Sequence, residues 1–469
     1  MSGQSPSLDS LAAEITKLSG MLTGYMRAND LPVPSFEVDS PAGYGALPPD
    51  IFGARQLLLD ALMDMWFLTW GPAAGVFAFP HTLLADATVL NVMNEFDFWS
   101  AVPLDGTASY EEIAERTNLP VDAVRRVMLA PKVPWRMRSF SARVFNKTRH
   151  AFTLRFFAET NPGDASTRVR HTAFSGVLVR SAGARGAFQT IFEIAGGPTL
   201  MLDKVLSKYS AGQAEMAQGV DKSAFALFNS QHGDGKYTDF WQYLENSGEG
   251  EKKGHRQKSF SKYMNFVTSL FGHENVMVQC YDWKSLGAAT VVDVGGSGGH
   301  NAIPLAQNFP DLRVVVEDLP RVRPVFEESV PPGLRDRVSF RGHDFFDPQP
   351  ERDADVYVFK KVFHDWPDES VVRILRAQVP ALRPGARVLV VEHVVDRAGL
   401  PADKQHVPRS LQRLATATDL RMMALFNAKE RSVADFRRVL EEADERFELV
   451  DVKVNPKSEL GIFEVVWRG

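Results

Sequence analysis

From about Gly287 to the end of the chain, short apolar runs alternate with stretches of helical periodicity, and this alternation most narrows the possible folds. A strand apolar along its whole length is buried on both faces, so its sheet needs helices on both sides. Repeated strand–helix alternation therefore specifies an α/β fold with a largely parallel sheet. Strands are expected at Val291–Val294, Arg313–Glu317, Val338–Arg341, Asp355–Lys360 and Arg387–Glu392, and Phe447–Val454 and Gly461–Trp467 close the chain as a hairpin-like pair. The 3.6-residue period places helices near His300–Asn308, Arg321–Val330, Glu369–Ala381, Ser410–Phe426 and Val433–Ala443.

The preceding part reads differently. A first helix gives way to Leu31–Phe36 and Ser40–Pro49, where prolines and glycines break periodicity and make an extended linker. From Ala54 onward Leu57, Leu58, Leu59, Leu62, Met65, Phe67 and Leu68 form apolar helical faces, followed by Ala85–Phe98 and Ala187–Val205. So much apolar helix calls for a covering surface, and a partner subunit is a candidate. Between Ala108 and Leu129 the capping-box pattern Ser109-Tyr-Glu-Glu112, the turn Thr117–Pro120 and the run Val121–Leu129 spell a helix-turn-helix. Two expected strands, Ala151–Glu159 and Thr167–His171, flank an Asn-Pro-Gly-Asp turn, so Ala108–Ser175 reads as a winged helix. The expected divisions are residues 1–50 (helix and linker), 51–285 (a helical winged-helix and dimerisation domain) and 286–469 (the sheet domain).

Composition excludes more than it selects. In 469 residues, 44% hydrophobic and 24% charged content is that of a folded globular chain rather than a disordered one. A formal charge of -5 argues for neither nucleic acid nor anionic membrane. The single cysteine, Cys280, excludes an internal disulfide framework and a cysteine zinc cluster, and fits a reducing compartment. No secretory signal is read at the start, and no unbroken run of 18 apolar residues occurs, so no membrane span and a cytoplasmic protein are expected. Residues 123–158 carry nine basic side chains, from Arg125 to Arg155, and no acidic one. This stretch suits a phosphate-binding surface, a solvated basic face, or one docked on acidic protein surface.

The residues that carry chemistry cluster at expected strand ends. Val291–His300, VVDVGGSGGH, runs from an apolar strand through glycines into a helix, a geometry that lets a ligand approach the main chain. Asp318 closes the next strand, 25 positions after Asp293, where a carboxylate can accept hydrogen bonds from ribose hydroxyls. Together these leave a dinucleotide oxidoreductase and an adenosylmethionine enzyme equally open. The third strand ends in Gly342-His-Asp-Phe-Phe346, where Asp344 and Phe345 can hold an adenine or serve as a helix cap and a core ring. The fourth ends in Phe359-Lys-Lys-Val-Phe-His-Asp-Trp-Pro, placing His364 at the edge where open α/β sheets bind ligands. An imidazole with an ordinary pKa near 6.5 is a natural proton acceptor there. Glu392, ending the fifth strand, and Glu430, in Asn427-Ala-Lys-Glu-Arg-Ser432, are carboxylates that could orient it. No serine or cysteine stands in a nucleophile elbow.

With these motifs assembled, the chain resembles the metal-independent, S-adenosylmethionine-dependent O-methyltransferases of the plant caffeic-acid type, particularly their fungal secondary-metabolite relatives. The resemblance covers Thr290–Gly469 and, more loosely, Ala54–Ser175, and it rests on the combination DVGG, DLP, HDW and NAKER. It implies a Rossmann-like class I methyltransferase domain with a seven-stranded mixed sheet, preceded by an α-helical winged-helix and dimerisation domain. It implies S-adenosyl-L-methionine as cofactor, bound by Gly295, Gly296, Gly299, Asp318, Asp344, Phe345 and Lys360. It implies His364 as general base flanked by Glu392 and Glu430, Asp365 as a substrate or loop anchor, and no metal. A homodimer acting on a small molecule, without nucleic acid or membrane partners, follows from the same resemblance. Ser297 departs from the usual third glycine, and a small residue is expected to keep the turn. Substrate walls are expected from Ala187–Leu270, where Phe225, Phe228, His232, Phe240, Trp241, Met264 and Phe266 supply aromatic and thioether surface. Two rival functions remain: a non-methylating pericyclase or dehydratase that binds the same cofactor, and a winged-helix DNA-binding regulator.

Overall fold

Ser7 accepts the amide of Ser10 in a capping box and starts helix α1, Leu8–Ala28, whose buried stripe is Leu11, Leu18, Leu22 and Met26. The computed structural model describes residues 5–128, 150–162, 164, 166–232, 237–246, 254–271, 273–395, 397, 400–401, 405–454 and 458–469. Helix α2, Pro49–Glu95, runs 47 residues but leaves helical geometry at Gly71, φ +69°, just before Pro72. It is apolar and largely uncovered: Val76 is 78% exposed and Phe77 70%, with Leu62, Trp70 and Leu84 also open. By length and composition α2 is able to cross a membrane. The test of unbroken apolar runs misses this, because polar residues, glycine and proline interrupt the helix without making it polar.

The capping box at Ser109 is present, with Glu112 closing it, and opens α3, Tyr110–Thr117; α4 follows at Val121–Met128. Strands β1, Phe157–Glu159, and β2, Val169–His171, pair antiparallel. The first expected strand here is half wrong. His150–Thr153 is a short helix, since buried Ala151 and Phe152 have tertiary partners that outweigh strand preference. Of the basic stretch, Arg125 pairs with Glu111 and Arg155 lies over the Phe36 ring. Lys132, Arg136, Arg138, Arg143, Lys147 and Arg149 fall outside the described residues.

The chain forms two units, Met1–Ile194 with Lys258–Phe266, and Ala195–Gln257 with Val267–Gly469. These units divide the chain at other places than the boundary at residue 285 expected from the sequence. Helix α5, Ala224–His232, buries Ala224 and Leu227 against Ala424, and the rings of Phe240 and Trp241 pack on Phe426. These contacts bind residues 195–257 to the sheet unit. Phe225 and Phe240 are core there, 3% and 2% exposed, while Phe266 lies against Gly183 in the first unit.

The sheet holds β3 (Ala289–Val294), β4 (Leu312–Asp318), β5 (Val338–Gly342), β6 (Val356–Lys360), β7 (Arg387–His393), β8 (Phe447–Val454) and β9 (Leu460–Trp467). Their spatial order is β5-β4-β3-β6-β7-β9-β8, with β3 to β7 parallel and β9 antiparallel to both its neighbours. Alternate residues feed two cores. Val292, Val294, Tyr357, Phe359, Val388 and Val390 face one side. Val291, Val314, Val316, Val356, Val358 and Leu389 face the other. Helices α6 (Ala302–Asn308), α7 (Arg323–Ser329), α8 (Asp368–Gln378), α9 (Arg409–Phe426) and α10 (Val433–Ala443) follow the expected pattern. The chain turns from β3 toward β4 on one side and toward β6 on the other, which opens a crevice at the carboxyl ends of β3 and β6.

One buried side chain clamps the turn after β6. Arg431, 1% exposed, donates to the carbonyls of Phe363 and Trp366, both at 2.7 Å, and to the Asp368 carboxylate at 2.9 Å. Burial alone would raise the Asp368 pKa, but Arg431, Arg438 and Lys429 bring it below its ordinary value. Arg431→Met is expected to leave both carbonyls unpaired and to lower unfolding free energy by about 3–5 kcal/mol. A denaturant midpoint equal to the wild type's would show that the clamp contributes nothing.

Candidate active site

The glycine bend is built by backbone geometry. Gly295, Ser297 and Gly299 have φ of +74°, +51° and +83°, left-handed values that glycine adopts freely and serine tolerates at a cost. Ser297 thus keeps the turn. At Gly296 an added Cβ would stand 2.5 Å from Asp293 Oδ2. The amides of Gly295 and Gly296 both donate to the Glu317 carbonyl, at 2.8 and 3.1 Å, which ties the bend to β4.

Asp318 stands at the end of β4 beside this bend. Its Oδ2 accepts the Ser297 amide at 2.9 Å and its Oδ1 the Leu319 amide at 2.7 Å. Each oxygen keeps a second lone pair. Burial raises its pKa against these two bonds and Arg321. Phe345 reaches the other side of the bend: a Cβ on Gly295 would lie 3.8 Å from its ring. Asp344 is exposed and accepts the Phe346 amide, at 3.0 Å. Lys360 Nζ donates to Asn301 Oδ1 at 2.7 Å, and Asn301 Nδ2 leans on Asp293 at 3.3 Å. Burial raises the Asp293 pKa to about 6, with Asn301 and Lys360 opposing.

The second cluster lies on the turn after β6. His364 Nδ1 is 2.8 Å from Glu430 Oε1. A carboxylate can only accept, so Nδ1 carries the hydrogen and Nε2 is left as the basic nitrogen. Asp365 Oδ1 lies 3.4 Å from that Nε2. Glu392 Oε1 accepts the amides of Val362 and His364, at 3.1 and 3.3 Å, so Glu392 holds the main chain of the turn. One nitrogen or carboxylate oxygen each from His364, Glu392 and Glu430 falls within 4.8 Å of the others. Among the described residues, Glu392 Oε2 and Glu430 Oε2 are buried without a hydrogen-bond partner.

The electrostatics follow from crowding. Burial and the Lys361 ammonium push the His364 pKa down, but Asp365, Glu430 and Glu392 outweigh them and hold it above 6.5. Burial lifts Glu392 above its ordinary value, opposed by His364 and Lys361. Glu430 is also pushed up by burial, yet Lys361, His364 and His393 bring it well below the usual carboxylate range. His393, next to Glu392 on β7, is brought down to about 3 by burial and Lys361. It stays neutral.

All the expected residues except Asp344 thus sit in or beside two linked clusters at one sheet edge. Asp293, Asn301, Lys361, His393 and Arg431 belong to the same edge and were not singled out by the sequence reading. Arg431 stands inside the NAKER motif and Lys361 inside FKKVFHDW, so their segments were marked though their contacts were not. His393 and Asn301 carry no local signal beyond their neighbours.

The residues fit S-adenosylmethionine. A glycine bend permits close approach, Asp318 has lone pairs for hydroxyls, Phe345 offers a ring face, and unpartnered carboxylate oxygens suit a positively charged sulfur.

Comparison with known proteins supplies the family. The profile of a family described as an O-methyltransferase domain matches residues 213–445. The O-methyltransferase lcsG of Purpureocillium lilacinum is 35% identical, covering 99% of this chain and 94% of its own. A solved structure of OxaC in complex with sinefungin and meleagrin superposes with a TM-score of 0.68 at 20% identity, covering 97% of this chain and 98% of its own. A structure described as a pericyclic reaction enzyme has a TM-score of 0.65 at 18% identity, covering 99% and 100%. At those identities the structures show the shared fold: the class I methyltransferase sheet with a helical amino-terminal region. From the relative and the family profile together, this chain belongs to the O-methyltransferase family.

Proposed function

We propose that this protein transfers the methyl group of S-adenosyl-L-methionine to a hydroxyl of a small aromatic or polyketide secondary metabolite, with His364 as general base. The observation that carries the reading is the buried His364–Glu430 pair, 2.8 Å apart, at the carboxyl edge of β6. When bound, S-adenosylmethionine supplies a methyl group already activated by its positive sulfur. The residues assigned to hold it are Gly295, Gly296, Gly299, Asp318, Phe345 and Lys360, with Asp344 as a further candidate.

The protein's remaining task is the nucleophile. A phenol with a pKa near 10 is almost wholly protonated at neutral pH. His364 Nε2 accepts that proton, and Glu430, fixed on Nδ1, stabilises the imidazolium that results. Proton removal by a positioned base contributes roughly 10²–10⁴-fold, and alignment supplies much of the rest. Asp365, beside Nε2, is assigned to the acceptor end of the substrate. No step calls for a metal. The open face of α2 is assigned to a second copy of the chain, which leaves no membrane role for it, and the protein is assigned to the cytoplasm.

The rival within the same fold is a cofactor-binding enzyme that does not methylate, favoured by the likeness to a pericyclic reaction enzyme. Formation of S-adenosylhomocysteine with a panel of phenols supports methyl transfer; ring formation without it supports the rival. A regulator that binds DNA through the basic stretch draws no support from the described residues.

His364→Ala is expected to keep the fold and cut turnover at least about a hundredfold. In the wild type the base is free only above its raised pKa, so turnover is expected to fall on the acid side through a midpoint above 6.5. An active alanine variant would mean that another group takes the proton. Asp318→Ala, losing bonds to ribose hydroxyls, is expected to weaken cofactor binding roughly ten- to a hundredfold, and unchanged affinity by calorimetry would reject the ribose assignment. Sedimentation is expected to find a dimer, lost when Val76 and Phe77 on the open face become aspartate; a wild-type monomer would refute the assignment of α2.

A further inference from the structure

Lys361 directly follows β6 and takes a left-handed backbone, φ +57°, a conformation in which a side chain is disfavoured and glycine is the easy occupant. Its amide donates to the Val391 carbonyl at 3.0 Å, so β7 fixes the bend. Such a conformation in a lysine persists only when the surroundings determine it. The surroundings are the carboxylate cluster: Lys361 Nζ stands 3.5 Å from Glu430 Oε1, with side chains 15% and 0% exposed.

Other charged groups face this pair. Its own turn carries His364 and Asp365, and β7 carries Glu392 and His393. Asp419 on α9 accepts the Glu430 amide at 2.7 Å, and Lys429 acts on Asp419. Among the described residues, the groups in ion-pair range of Glu430 are Lys361, His364 and His393. The two imidazoles lose their charge on deprotonation and His393 is already neutral. Lys361 is the cation that remains when His364 is free to accept a proton. Without it, Glu430 would face the neutral ring as a buried, uncompensated anion.

We propose that Lys361 is a positioning residue: its ammonium, held over Glu430 by the left-handed turn, fixes that carboxylate on Nδ1 of His364 and opposes a proton on the ring. The proposal rests on His364 being the base. Lys361 thereby balances the cluster from two sides. The carboxylates favour a proton on the imidazole, and burial favours one on Glu430; Lys361 opposes each. The ammonium opposes both, leaving Nε2 basic and Nδ1–H oriented.

The test is a titration of the full chain carrying isotope-labelled histidine, followed by nuclear magnetic resonance, with the His364 signal assigned by its loss in His364→Gln. Removing a nearby cation raises the proton affinity of every neighbour. Lys361→Met is therefore expected to move the His364 midpoint upward by about one pH unit, a tenfold change in proton affinity, and Lys361→Arg to return it close to the wild type. The acid limb of the methyl-transfer profile is expected to move with it, activity recovering at high pH. Lys361→Gln serves as a second neutral variant. An unmoved midpoint in the neutral variants, an equal shift in the arginine variant, or folding lost in both neutral variants but kept with arginine would each overturn the proposal. A moved midpoint beside a fully active His364→Ala would instead reject the base and leave the Lys361 coupling standing. An unmoved midpoint beside an inactive His364→Ala would reject the coupling alone.

Discussion

Parallel strands deliver all their carboxyl ends to one edge of a sheet, and in this protein nearly every residue assigned a chemical role lies at that edge. The last residues of β4 and β7 contribute Asp318 and Glu392, and the turns after β3, β5 and β6 contribute the glycine bend, Phe345 and His364. Glu430 comes from farther along the chain, between α9 and α10, and reaches the same edge because Arg431 beside it grips the carbonyls of Phe363 and Trp366. Alternate burial of strand residues in two cores makes the edge rigid, and rigidity is what positioning chemistry needs.

The cluster around His364 is a contest between burial and charge. Desolvation disfavours every ion in it, while the mutual attraction of ammonium, imidazole and carboxylate favours ions. The outcome differs from group to group: Glu392 is raised, Glu430 lowered, His364 raised and His393 held neutral. Two carboxylates separated by so little space are thus shifted in opposite directions, and they make different contacts. Glu430 orients a ring, while Glu392 secures the main chain that bears it.

Much of this was legible before any coordinates. The period of the apolar pattern placed the strands of the sheet and its flanking helices, and the helix Val433–Ala443 agrees to the residue. The capping box at Ser109 was legible because its partners are three residues apart. The short helix His150–Thr153 and the membership of residues 195–257 in the sheet unit were not, since both depend on packing against distant residues. The sequence also hid how α2 bends at Gly71 and how openly its apolar side lies.

By itself, then, the sequence determined the α/β class, the strand ends to which a function is assigned and the identity of the titratable groups, because local periodicity and residue chemistry are written along the chain. Which nitrogen of His364 is basic, which glutamate meets the ring, and what cation stands over Glu430 were decided only in three dimensions. Those answers depend on distances of 3–4 Å between residues separated by up to 69 positions in the chain, Lys361 and Glu430, and electrostatics at that range in a dry interior outweighs any preference a side chain brings from its own segment.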